Sequence, residues 1–131
     1  MDSLEPKKLA LIRIWQILKD YSDDRHPLTQ EHIANLLEQD YGIILERKAI
    51  SRNISLLKEA GADIESQKGG CYLAQRDFED AELRMLIDGI LSSKHITAKH
   101  SRDLIDRICA LSNRYFKANI RNIHSVNDWS K

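Results

Sequence analysis

The stretch from Thr29 to Leu73 constrains the fold most. It holds two short helical patterns, a tight turn between them, and a glycine-tipped hairpin. Thr29 suits an N-cap before a helix from Gln30 to about Gln39, because its hydroxyl can accept an orphan N–H of the first turn. Leu28 and Ile33 bracket that cap as a hydrophobic staple. Ile33, Leu36 and Leu37 recur at helical spacing and give an inward face. Gly42, within Tyr41-Gly42-Ile43, suits the left-handed residue that ends a helix. The second pattern, from about Arg47 to Ala60 with Gly61 behind it, has two distinct sides. Ile50, Ile54 and Leu57 lie on one; Arg47, Lys48, Ser51, Arg52 and Ser55 lie on the other. Leu45 and Ile50 repeat the staple around Glu46, a weaker cap whose charge still favours a helix N-terminus. Ile64 to Gln67 and Cys71 to Leu73 read as strands flanking Lys68-Gly69-Gly70, with both glycines expected to supply positive backbone angles at the tip.

A helix, a tight turn, a second helix and a hairpin are the order of a winged helix-turn-helix. The fold class expected is therefore mainly α with a small β-hairpin: a winged helix at 1–76 followed by a helical hairpin at 77–131. A first helix is expected from about Pro6 to Tyr21, with proline in the first turn and Leu11, Ile14, Leu18 and Tyr21 on one face. Ser22 to Pro27 interrupts as a polar loop, and Gln75-Arg76-Asp77 marks the boundary. Beyond it, Glu79 to about Ser92 reads as a helix with Leu83, Leu86, Ile87 and Ile90 on one face. Ala98 to about Phe116 reads as a single further helix carrying Leu104, Ile105, Ile108 and Leu111. Residues 118–131 are polar, without strong periodicity.

Charge is balanced overall, at 20 basic against 20 acidic residues, which argues against indiscriminate attachment to polyanions. Its distribution is uneven. Residues 1–45 hold five Lys/Arg against eight Asp/Glu, whereas 46–76 hold six against four. The positive excess thus falls on the second helix and its hairpin, a modest patch suited to weak-to-moderate duplex affinity from one copy. Arg can bridge guanine O6 and N7, and Ser can meet a base edge or a phosphate oxygen. The first helical turn also attracts phosphate. The expected division of labour has Ser51 and Arg52 reading bases, and Arg47, Lys48 and the hairpin's Lys68 on phosphates. Ser55 shares the same face, and Thr29 stands at the start of the preceding helix.

Other chemistry finds little support. His26, His32, His95, His100 and His124 are scattered, and no metal-ligand spacing is evident. No phosphate loop, catalytic cysteine motif or Ser/His/Asp arrangement is visible, so no enzyme activity and no cofactor are expected. Cys71 and Cys109 lack a CxxC spacing and read as small buried hydrophobes. No apolar run approaches a membrane span and no secretion signal is legible, which makes the cytoplasm the default location and leaves no membrane partner.

Leu28-Thr29-Gln30-Glu31-His32-Ile33, Tyr41-Gly42-Ile43, Glu46 to Ile54 and Leu56 to Gly61 resemble the N-terminal DNA-binding region of WYL-domain transcriptional regulators, a DeoR-like winged helix. Phe78 to Asp88 resembles the helical part that follows the wing in that family. The resemblance implies sequence-specific double-stranded DNA binding and transcription regulation. It also implies a C-terminal WYL domain that senses a ligand. That domain's Trp-Tyr-Leu run is absent here, because Cys71-Tyr72-Leu73 belongs to the hairpin. The chain stops where the sensing domain would begin, as a piece of a longer protein or a natural short form. A homodimer is a further expectation, through the Leu83–Ile90 and Leu104–Leu111 faces or with those faces packed within the chain instead. The alternative function is a protein–protein interaction module that uses the winged helix as a docking surface.

Overall fold

The computed structural model describes residues 7–123. These form six α-helices and one two-stranded antiparallel hairpin, in two compact units that divide between Gln75 and Arg76.

In the first unit, a single 3-10 turn over Lys7–Leu9 leads into α1 (Ala10–Tyr21), which is followed by α2 (Gln30–Tyr41) and α3 (Arg47–Glu59). The start expected at Pro6 lies outside the described residues. The local signals act as read. Thr29 Oγ1 accepts the His32 N–H at 3.0 Å, and Gly42 ends α2 at φ 69° with its N–H on the Glu38 carbonyl. Glu46 precedes α3 without a side-chain cap bond. All three helices turn an apolar stripe inward, and Ile14, Leu18, Ile33, Leu37, Ile43 and Ile50 are fully buried between them. Burying side chains of this size is each worth about 1.5–3 kcal/mol, so the α1–α2–α3 contact dominates the unit's stability. Tyr21 adds a polar tie, its hydroxyl donating to Asp40 Oδ2 at 2.9 Å.

The hairpin pairs β1 (Ile64–Gln67) with β2 (Gly70–Leu73), Gln67 facing Gly70 across the tip. Only Gly70 takes positive φ, at 130°, whereas Gly69 does not. The expectation that both glycines would do so is corrected. A second constraint acts on Gly70 from the other side of β2, where Leu28 forms an isolated antiparallel bridge to Cys71. Leu28 N–H donates to the Cys71 carbonyl at 2.7 Å and Cys71 N–H to the Leu28 carbonyl at 2.8 Å. The backbone of Leu28 thus presses against Gly70, where a Cβ would sit 2.2 Å from the Leu28 carbonyl oxygen.

Ser22, read as part of a polar loop, is completely buried. Its hydroxyl donates to the Leu18 carbonyl and accepts the Leu73 N–H at 3.0 Å. One small polar side chain therefore joins the end of α1 to the end of β2, satisfying a buried backbone donor that has no strand partner.

The second unit departs from the expected helical hairpin. Its described residues form three helices: α4 (Asp80–Ser92), α5 (Ala98–Cys109) and α6 (Arg114–Ile123). The continuous helix expected from Ala98 to Phe116 breaks after Cys109. Asn113 restarts the chain as a cap, its Oδ1 accepting the Phe116 N–H at 3.0 Å, and Ser112 Oγ donates to Asp80 Oδ1 at 2.8 Å. The break turns Phe116 and Ile120 back onto Leu83, Ile87, Ile105 and Cys109, closing a second core. The segment read as lacking periodicity accordingly enters α6 as far as Ile123, while 124–131 lie outside the described residues. Leu86 and Leu111, both counted on apolar faces, are exposed, Leu86 on the flank of α4 and Leu111 at the break.

Candidate nucleic-acid interface

Helix α3 owes its place to its inner stripe. Ile50, Ile54 and Leu57 are buried against the core, so the opposite stripe is turned outward by geometry alone. Arg47, Lys48, Arg52 and Ser55 are exposed on that side, and Ser51 is half-buried. Five of the seven residues singled out in the sequence therefore share one helix face. Lys68 stands exposed at the hairpin tip, and Thr29 caps α2.

Between α3, the start of α2 and the hairpin runs an open groove of about 310 Å³. Thr29, Ser51 and Ser55 line it; Arg47, Lys48, Arg52 and Lys68 do not. Among the polar side chains of the lining, Gln30, Lys58, Ser66 and Gln67 are not among the site residues expected from the sequence. Lys58 was legible, being three residues beyond Ser55 and seven beyond Ser51, hence on the same face. Gln30 and Ser66 come from other elements, and no local pattern points to them.

Hydrogen bonds tie the groove's walls. Gln30 Nε2 donates to Ser51 Oγ, linking α2 to α3. Gln67 Nε2 donates to the Asp24 carbonyl at 3.0 Å, fastening the hairpin to the loop after α1. Tyr72 is also occupied: its hydroxyl donates across the strand pair to Glu65 Oε2 at 2.8 Å, and that bond raises its pKa above the ordinary tyrosine value.

Arg47 reaches Glu31 Oε2 at 3.3 Å, with both side chains about 70% exposed (71% and 69%). An ion pair so open to solvent holds its members weakly, by about 0–1 kcal/mol, so Arg47 stays available to a competing anion. At the floor of the groove, burial pushes the Cys71 thiol above its ordinary pKa, while the Lys58 charge pulls the other way. Cys71 and Cys109 are both buried free thiols.

Among the described residues, no three His, Cys, Asp or Glu side chains converge as a metal site would require. No described helix is long and apolar enough to cross a membrane. Comparison with family models, curated proteins and solved structures finds no match to the chain.

Proposed function

We propose that this chain is a double-stranded DNA-binding module of a transcription regulator, built as a winged helix-turn-helix of the DeoR-like type found in WYL-domain proteins. Helix α3 enters the major groove, and the β1–β2 hairpin is the wing that rides on the backbone. The observation carrying this reading is the outward face of α3. Its cations and hydroxyls project from a helix whose other side is locked in the core, while the Leu28–Cys71 bridge anchors the hairpin beside it. A rigid helix with donors on its free face is what readout of base edges needs.

In this reading Ser51 and Arg52 meet bases. Arg47, Lys48 and Lys68 neutralise phosphates, and Arg47 exchanges its Glu31 partner for one. The role is binding without catalysis and calls for no cofactor. The test is fluorescence anisotropy of a random-sequence duplex at low salt with the full chain, beside the Arg47→Ala/Lys48→Ala/Arg52→Ala variant. Binding by the wild type should weaken steeply with salt, with a slope of log K against log salt of about −0.9 per phosphate neutralised. The variant should bind weakly with a flatter slope. A folded wild type without duplex affinity would overturn the reading. It would favour the docking-module alternative, which the acidic Glu31 and Glu46 on the exposed surface near Arg47 would then serve.

A further inference from the structure

Within the second unit, α4 buries Leu83 and Ile87 and leaves its opposite face bare. On that face Met85 is 74% exposed, and Leu86, on the flank between it and the buried stripe, is 48% exposed. One turn beyond Met85 comes Gly89, and nothing lies within 4 Å of where its Cβ would be. The face therefore presents a protruding apolar side chain and, four residues on along the same stripe, a flat place where another backbone can approach. On the flank of this stripe stand Arg84 and Asp88, again four residues apart.

We propose that α4 pairs with α4 of a second copy of this chain, antiparallel about a two-fold axis that passes between Met85 and Gly89. In that register Met85 of each copy lies over Gly89 of the other, and the two Leu86 side chains meet beside the axis. Antiparallel pairing also brings like flanks together, so Arg84 of each copy faces Asp88 of the other. A parallel pair would instead set Met85 on Met85, Arg84 on Arg84 and Asp88 on Asp88, with no side chain to fill the gap at Gly89. The self-complementarity of size and charge selects the antiparallel isologous arrangement. The 13-residue helix is only about 20 Å long. One such helix pair covers less than the ~1,200–2,000 Å² of a standard stable interface, which makes the dimer weak and reversible. This pairing stands independently of the DNA-binding reading.

The test is sedimentation equilibrium of the full chain at low salt without DNA, over concentrations up to about 1 mM, where a weak dimer becomes populated. The wild type should follow a reversible monomer–dimer equilibrium. Met85→Glu should weaken association by about tenfold or more, with the helical circular dichroism and melting temperature unchanged because the site is exposed in the monomer. Arg84→Asp should weaken it several-fold by placing like charges together, and Arg84→Asp/Asp88→Arg should recover wild-type association within about twofold. Three results would overturn the proposal: a monomer throughout, a dimer indifferent to Met85→Glu, or a double swap no better than Arg84→Asp alone. The charge swap keeps the test decisive should the glutamate variant lose helicity.

Discussion

Replacing Gly70 by alanine should remove a large share of the first unit's stability, through a collision rather than through backbone strain alone. The new Cβ would stand 2.2 Å from the Leu28 carbonyl oxygen, 2.3 Å from its carbon and 2.7 Å from the Thr29 nitrogen. All three are backbone atoms, and none can swing aside. Restoring ordinary contact requires the Leu28 segment to retreat by roughly 1 Å, which carries the two bridge hydrogen bonds past hydrogen-bonding distance. They now measure 2.7 and 2.8 Å. Two lost backbone bonds cost about 2 kcal/mol together. A non-glycine residue at positive φ costs a further 1–2 kcal/mol, approximately. The total, about 3–4 kcal/mol, compares with roughly 4–11 kcal/mol for a unit of this size. Gly61→Ala is the control, because φ is 108° there but nothing lies within 4 Å of the added carbon. It isolates the strain, about 1–2 kcal/mol. Urea denaturation of the full chain would report both values through the fluorescence of Trp15, which packs against the first unit's core. Amide exchange at Leu28 and Cys71 should accelerate in Gly70→Ala only. Equal stability losses in the two variants would refute the reasoning, because the collision and the bridge would then contribute nothing.

Three further outcomes follow from the structure. Lys48→Ala should weaken duplex binding about equally for all sequences and flatten the salt slope by about one, whereas Arg52→Ala should relax sequence preference; a binding-site selection run on both variants checks the contrast. Asn113→Ala should destabilise the second unit by about 0.5–2 kcal/mol and fray α6, as a lost N-cap does, which thermal melts and amide exchange at Phe116 would register. The buried thiols set a pH dependence. Burial raises Cys71 and Cys109 above the ordinary value of 9.0. The unfolded chain therefore ionises first, and stability that is complete below pH 9 should fall as pH rises through the higher folded values. Urea midpoints measured toward high pH should decline less in a Cys71→Ala/Cys109→Ala variant, and an equal decline would count against the thiols.

Much of the first unit was legible because its signals are local. Thr29, Gly42 and the Ile50–Ile54–Leu57 stripe each act within one or two turns of chain, so their identity and spacing suffice. The outward face of α3 followed from the same stripe, since fixing one side of a helix fixes the other. The break at Ala110–Asn113 was also written locally, in Ser112-Asn113. It was masked by apolar spacing that runs on through Leu111, a residue the structure leaves exposed.

Other features depended on elements distant in the chain meeting in space. Gly70 has no room for a side chain because Leu28, far back along the chain, presses on it. Ser22 is buried because β2 ends with an unpaired N–H at its hydroxyl. Gln30 joins the groove because α2 starts beside Ser51. Caps and periodicity alone were enough to place α1, α2 and α3 and the stripe each turns inward, since backbone hydrogen bonding and side-chain spacing are short-range; they did not show that α5 ends at Cys109 or that Leu86 and Leu111 stay exposed. The groove, the bridged hairpin and the second core were decided only by tertiary structure, because each depends on which buried surfaces find one another when the chain collapses.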